Sequence, residues 1–132
     1  MLACAAALLL LAAILHFADY AEADRLITHA SMAETWRDAL RGAWILYASH
    51  LVIIAAVCAY ACSRPGVVAA PLLILCGLVP ALDAIVSLFF LAGFVPPMLL
   101  GFAAVLIFGA VARGTMTLVD GVPDPTAGRS SR

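Results

Sequence analysis

Asp83 and His50 are the residues whose setting most clearly calls for chemistry. Asp83 stands in "GLVPALDAIVSLFF" (77–90) and His50 in "WILYASHLVIIAA" (44–56), each with apolar neighbours on both sides. A lone carboxylate held away from water costs several kcal/mol, so such a group pairs, meets water or stays protonated. An aspartate–imidazole pair solves that problem and is the arrangement suited to moving protons. Tyr47 precedes His50 by three residues and Ser87 follows Asp83 by four, so on helices both share the polar faces. His16 and Asp19, three apart, form a further polar pair in the first apolar segment, and Asp38 and Arg41 stand just before the second.

Other chemistries have weaker claims. His16, Asp19, His50 and Asp83 lack the spacing of a metal motif, and a haem held by His16 and His50 would need two ligands at one depth. No phosphate loop, zinc-protease motif or serine triad order is present, and no cofactor is expected. Cys4, Cys58, Cys62 and Cys76 lie in apolar segments, where free cysteine behaves as a small hydrophobe. Cys58 and Cys62 share a helix face, but their spacing is not the usual C-x-x-C of metal and redox pairs.

The elements that carry these residues follow from composition. Of 132 residues 66% are hydrophobic and 11% charged, and the mean hydropathy is +1.13. A soluble domain of this size cannot hide so much apolar surface. With no lysine and a net charge of −1, nothing calls for nucleic acid. Four apolar segments, 2–20, 42–62, 67–92 and 97–119, each reach the roughly 20 residues needed to cross a bilayer. Helix is the conformation that satisfies backbone groups there. The expected fold is therefore all-α: an integral membrane four-helix bundle over 1–119, with a polar, disordered tail at 120–132.

Residues 21–41 are the one sizeable polar connection. Leu26, Ala30, Ala33, Trp36 and Leu40 recur at helical spacing, which predicts a short interfacial helix. Ser31-x-x-Glu34 reads as a capping box opening the helix that enters span two. Trp36 and Trp44 are expected at headgroup level. "SRPG" (63–66) and "AGFVPP" (92–97) read as turns, with Pro96 and Pro97 opening span four. Gly101, Val105, Gly109 and Ala112 form an expected small-residue packing stripe. "YAEAD" (20–24) contains an Ala-x-Ala, yet no positive residue precedes a run long for a signal sequence, so span one is expected to be retained.

Counting along helices places the candidate site. His50 lies eight residues inside span two, about 12 Å, and Asp83 nine residues before the end of span three, about 13 Å. Similar depth on consecutive spans predicts that they are neighbours. Pro80 removes one backbone bond near Asp83 and predicts a kink there. Arg64, Arg113, Arg129 and Arg132 share one side, which favours cytoplasmic termini in a bacterial inner membrane.

"WRDALRGAWILYASHL" and "VPALDAIVSL" together resemble a pattern in small four-span, DoxX-like bacterial membrane proteins of uncharacterised function. The matching positions are Arg37, Asp38, Gly42, Pro80 and Asp83, and the resemblance spans about half the chain. It implies a membrane bundle.

The functional expectation is a polar pocket in the outer half of the bundle, built from Asp83, His50, Tyr47 and Ser87. Asp38, Arg41, His16 and Asp19 stand towards its mouth. Such a pocket would hold a lipophilic small molecule or a partner membrane subunit, which includes a second copy of the chain. Two alternatives use the same residues. One is a small isomerase or epoxide-opening hydrolase with Asp83 and His50 as its acid–base pair. The other is a proton-linked oligomeric transporter.

Overall fold

The structure is a computed structural model and describes residues 1–90 and 95–120. Its described residues are helical, with no strand: α1 (Leu2–Ala18), α2 (Tyr20–His29), α3 (Glu34–Ser63), α4 (Ala70–Phe90) and α5 (Val95–Asp120). α3, α4 and α5 each contain a stretch long and apolar enough to cross a membrane. The pair α1 and α2, bent by 42° at Asp19, qualifies as a fourth if counted as one span. Large apolar side chains face outward along these helices, Phe89 at 82% exposure and Leu46 at 69% among them. In water that surface would be a severe liability; lipid is its natural solvent, so the chain carries the marks of a membrane protein.

α4 runs antiparallel to both α3 and α5, and the packing order is α3–α1–α5–α4. α1 takes the central place because its inward face is Ala5, Ala6, Leu9, Ala12 and Ala13. Small side chains let two neighbours approach the same helix closely, which matters where lipid offers no hydrophobic drive for helices to associate. Leu9, Leu51, Leu100 and Ile107 are fully buried and fill the spaces between the alanines. α4 packs along α5, with the Phe108 ring seated on Gly77. The remaining pair, α3 and α4, meet only sparsely, although they are joined by a short connection. That leaves a loosely packed seam between them.

Several local expectations are corrected. Ser31 does not cap a helix: α3 begins at Glu34 behind an extended Ala33 (φ −62°, ψ 148°), with no side-chain cap bond. Ala30 and Ala33 lie in the break between α2 and α3, so the stripe from Leu26 to Leu40 is divided between two helices. A short helix does occupy this connection, as α2, and α3 does run without interruption into the apolar segment. On α5 the expected stripe packs only in part, because Val105 is 65% exposed. Leu100, Ala103, Ala104 and Ile107 are buried instead, while Gly101 faces Ala84 and Gly109 meets the Met1 side chain.

Other expectations hold in outline. The 63–66 turn is present, with Gly66 at φ 84°, a left-handed conformation that favours glycine. α4 stays helical through Pro80, whose ring nitrogen has no hydrogen to give the Cys76 carbonyl one turn earlier. α5 starts at Val95, just ahead of both prolines. The first part of the 92–97 turn and the tail after Asp120 lie outside the described residues.

Candidate functional site

The site is assembled on α3, whose residues Trp44, Tyr47 and His50 recur every three positions and so lie along one face. His50 Nε2 lies 3.0 Å from Asp83 Oδ2, across the seam to α4. Both side chains are partly accessible, 31% for His50 and 24% for Asp83. A carboxylate bound to one ring nitrogen fixes the imidazole's orientation and leaves the other nitrogen available. Neither Asp83 Oδ1 nor His50 Nδ1 has a hydrogen-bond partner among the described residues, and neither is sealed from its surroundings. These two atoms are the chemically open part of the pair.

Tyr47 stands behind the pair. Its ring meets His50 edge-on, with centroids 5.0 Å apart and an interplanar angle of 89°. The tyrosine hydroxyl lies among Asp83 and Ser87 of α4. On its other side Tyr47 meets the His16 ring at 4.7 Å. His16 in turn stacks on Trp44 at 4.2 Å and 17°. The last two residues exchange bonds: His16 Nε2 donates to the Trp44 carbonyl at 3.1 Å, and Trp44 Nε1 donates to the His16 carbonyl at 3.0 Å. Because a carbonyl only accepts, this bond places the proton of His16 on Nε2. The His16 carbonyl belongs to the last turn of α1, where helical partners run out, so the indole donor meets a real need. His16 and Trp44 thus tie α1 to α3 and hold Tyr47, which holds His50.

His16, Tyr47, His50, Asp83 and Ser87 are therefore brought into one continuous line. The rest go elsewhere. Asp19 is exposed at the junction of α1 and α2. Arg41 is engaged with Asp24 at 2.6 Å, Thr28 at 2.9 Å and Asp38 at 3.2 Å, which clamps α2 onto α3. This clamp was not foreseen; the signal was present in Asp24 and Thr28, four apart on one face of α2. Removing it has a bounded effect, because partly exposed ion pairs are worth about 0.2–1 kcal/mol each. Arg41→Ala is expected to speed amide exchange across Tyr20–His29 roughly five-fold at most and to leave exchange in α4 and α5 unchanged.

The seam also holds an apolar recess of about 640 Å³ beside the 63–66 turn. Ile53, Ala56, Val57 and Tyr60 of α3 face Val68 and Leu72 across it. Ile53 and Tyr60 are themselves 63% and 53% exposed, so the recess opens sideways to whatever surrounds the helices. No group of three or more metal-binding side chains occurs among the described residues. All four cysteines are free, Cys58 and Cys76 buried and Cys4 and Cys62 exposed. Comparison with family models, curated proteins and solved structures returned no match for this chain.

Proposed function

We propose that the chain is a multi-pass membrane protein that binds a lipophilic small molecule at the α3/α4 seam, through a polar group held by His50 and Asp83. The contact of 3.0 Å between these two side chains carries the reading, because it crosses the sparsely packed junction between α3 and α4. A side entrance from the bilayer suits a ligand that is already dissolved there. An intramembrane carboxylate is costly to keep, and one with an unpaired oxygen facing an open seam is best explained by a partner that arrives from outside. The resemblance to DoxX-like proteins fits the same picture of a small bacterial inner-membrane bundle. The arginine distribution favours cytoplasmic termini.

A hydroxyl is the head group that fits best. Where His50 Nδ1 carries a proton, the hydroxyl accepts from it and donates to Asp83 Oδ1; where it does not, the hydroxyl gives its single proton to one of these two acceptors. A carboxylate head would face the like charge of Asp83. Tritiated hexadecanol in nanodiscs tests the proposal. Saturable binding is expected, weakened about ten-fold in Asp83→Leu, as fits the loss of one hydrogen bond to a charged group. Binding that does not saturate, or that is equal in this variant, rules the reading out.

A further inference from the structure

We infer that the seam is a head-and-tail site for a single-chain neutral amphiphile, with the hydroxyl at His50/Asp83 and the hydrocarbon chain lying in the recess towards the 63–66 turn. The inference rests on the preceding reading of the polar pair and adds the ligand's shape, direction and class.

The argument starts from helical spacing. On α3, His50, Ile53, Val57 and Tyr60 are separated by three, four and three residues, which places them on one stripe. The polar residue at one end of that stripe bonds Asp83, and the other three line the recess. On α4 the corresponding stripe is Leu72, Cys76, Pro80 and Asp83, spaced four, four and three. Leu72 borders the recess and Asp83 the head site, with buried Cys76 and Pro80 between them. Polar pair and recess thus lie on the same stripe of each helix, and a tail joining them would pass over the buried Cys76 and Pro80. From His50 to Tyr60 the helix rises about 15 Å, a length suited to an extended alkyl chain. The volume falls within the usual few hundred to a thousand Å³ of small-molecule sites.

Depth selects the class of occupant. The hydroxyl would sit about 12–13 Å below the outer surface, near the bilayer centre, by the rise per residue from the ends of spans two and three. A phospholipid headgroup does not sink there, because charged groups at that depth are expensive. A neutral alcohol does, since it loses only one hydroxyl's hydration and regains it on Asp83 and His50. The competing occupant is a phospholipid from the inner leaflet, its phosphate at Arg64 beside the turn and one acyl chain in the recess.

Photolabelling separates the two. Hexadecanol bearing a diazirine at the chain end is photolysed with the full-length protein in nanodiscs, and labelled peptides are mapped by mass spectrometry. Phosphatidylglycerol with the same diazirine on one acyl chain, which Arg64 would attract, is run in parallel. The expected result is hexadecanol label at Ile53, Val57, Val68 or Leu72, competed by unlabelled hexadecanol. That label should fall about ten-fold in Ala56→Trp, which fills the recess, while phosphatidylglycerol marks outward positions such as Leu75 and Phe102. Ala56 is exposed, so the substitution leaves the packed faces intact, and helical content measured by circular dichroism checks this. Recess label from phosphatidylglycerol as strong as that from hexadecanol overturns the inference. So does hexadecanol label confined to outward positions, or label unchanged in Ala56→Trp. If hexadecanol binds saturably but labels elsewhere, only the tail placement fails; without saturable binding, the head site fails as well.

Discussion

His50→Leu lowers the stability of the protein by about 2–3 kcal/mol, more than Asp83→Leu does at about 1–2 kcal/mol. The asymmetry follows from what each change leaves behind. Without Asp83 the imidazole carries only the modest cost of one lost hydrogen bond. Without His50 the carboxylate loses its only hydrogen-bond partner among the described residues and faces a largely apolar seam. Both figures are kept below those of fully buried pairs, because the two side chains retain 31% and 24% accessibility. Asp83→Asn can still bond a neutral His50, so it should cost less than about 0.5 kcal/mol. Removing both partners together in His50→Leu/Asp83→Leu should cost less than the sum of the single changes, with a coupling energy of about 1–2 kcal/mol. Unfolding titrations in mixed micelles measure all four variants. Strictly additive single changes would mean that the contact across the seam carries no energy.

That pair was within reach of the sequence because a helix has a fixed rise. Counting from Gly42 inward and from Ala92 backward put His50 and Asp83 at one depth, and consecutive antiparallel helices did the rest. Tyr47 and Ser87 followed from the i, i+3 and i, i+4 relation. What counting cannot supply is the lateral order of helices. α1 and α5 are joined to different partners in sequence, yet they pack together, and α3 and α4 are consecutive but barely meet. The loose seam and its recess depend on that order, so they were not visible. Local motifs also proved degenerate. Ser31-x-x-Glu34 has the letters of a capping box, but the chain uses residues 30–33 as a bend that lets Arg41 reach Asp24 and Thr28. Trp44, expected at headgroup level, also stacks on His16 of α1, a contact that spacing within one helix does not give. A tryptophan's amphipathic ring can serve both purposes.

The strongest packing effect is expected at Gly77, and it bears on the site through α4. A Cβ built there would lie 2.9, 3.0 and 3.2 Å from three carbons of the Phe108 ring, closer than side chains pack. In Gly77→Ala the ring must yield by a few tenths of an ångström. Replacing a mid-helix glycine gains about 0.5–1 kcal/mol, which roughly offsets that strain. Gly77→Leu has no such balance. Its branched side chain must push α4 and α5 apart, and overpacking of this kind costs about 1–3 kcal/mol. Association of these helices rests on close packing rather than on water exclusion, so a lost fit is not recovered by burial elsewhere. Asp83 lies six residues along α4 from Gly77, about 9 Å, so displacing the helix also moves the carboxylate relative to His50. Gly77→Leu should therefore weaken hexadecanol binding together with stability. Phe108→Ala in the same chain removes the obstructing ring and should restore much of both, whereas Phe108→Ala alone leaves a gap and destabilises. Unfolding and binding measured on the three variants decide the matter: no recovery in the double variant would show that Phe108 is not what Gly77 makes room for.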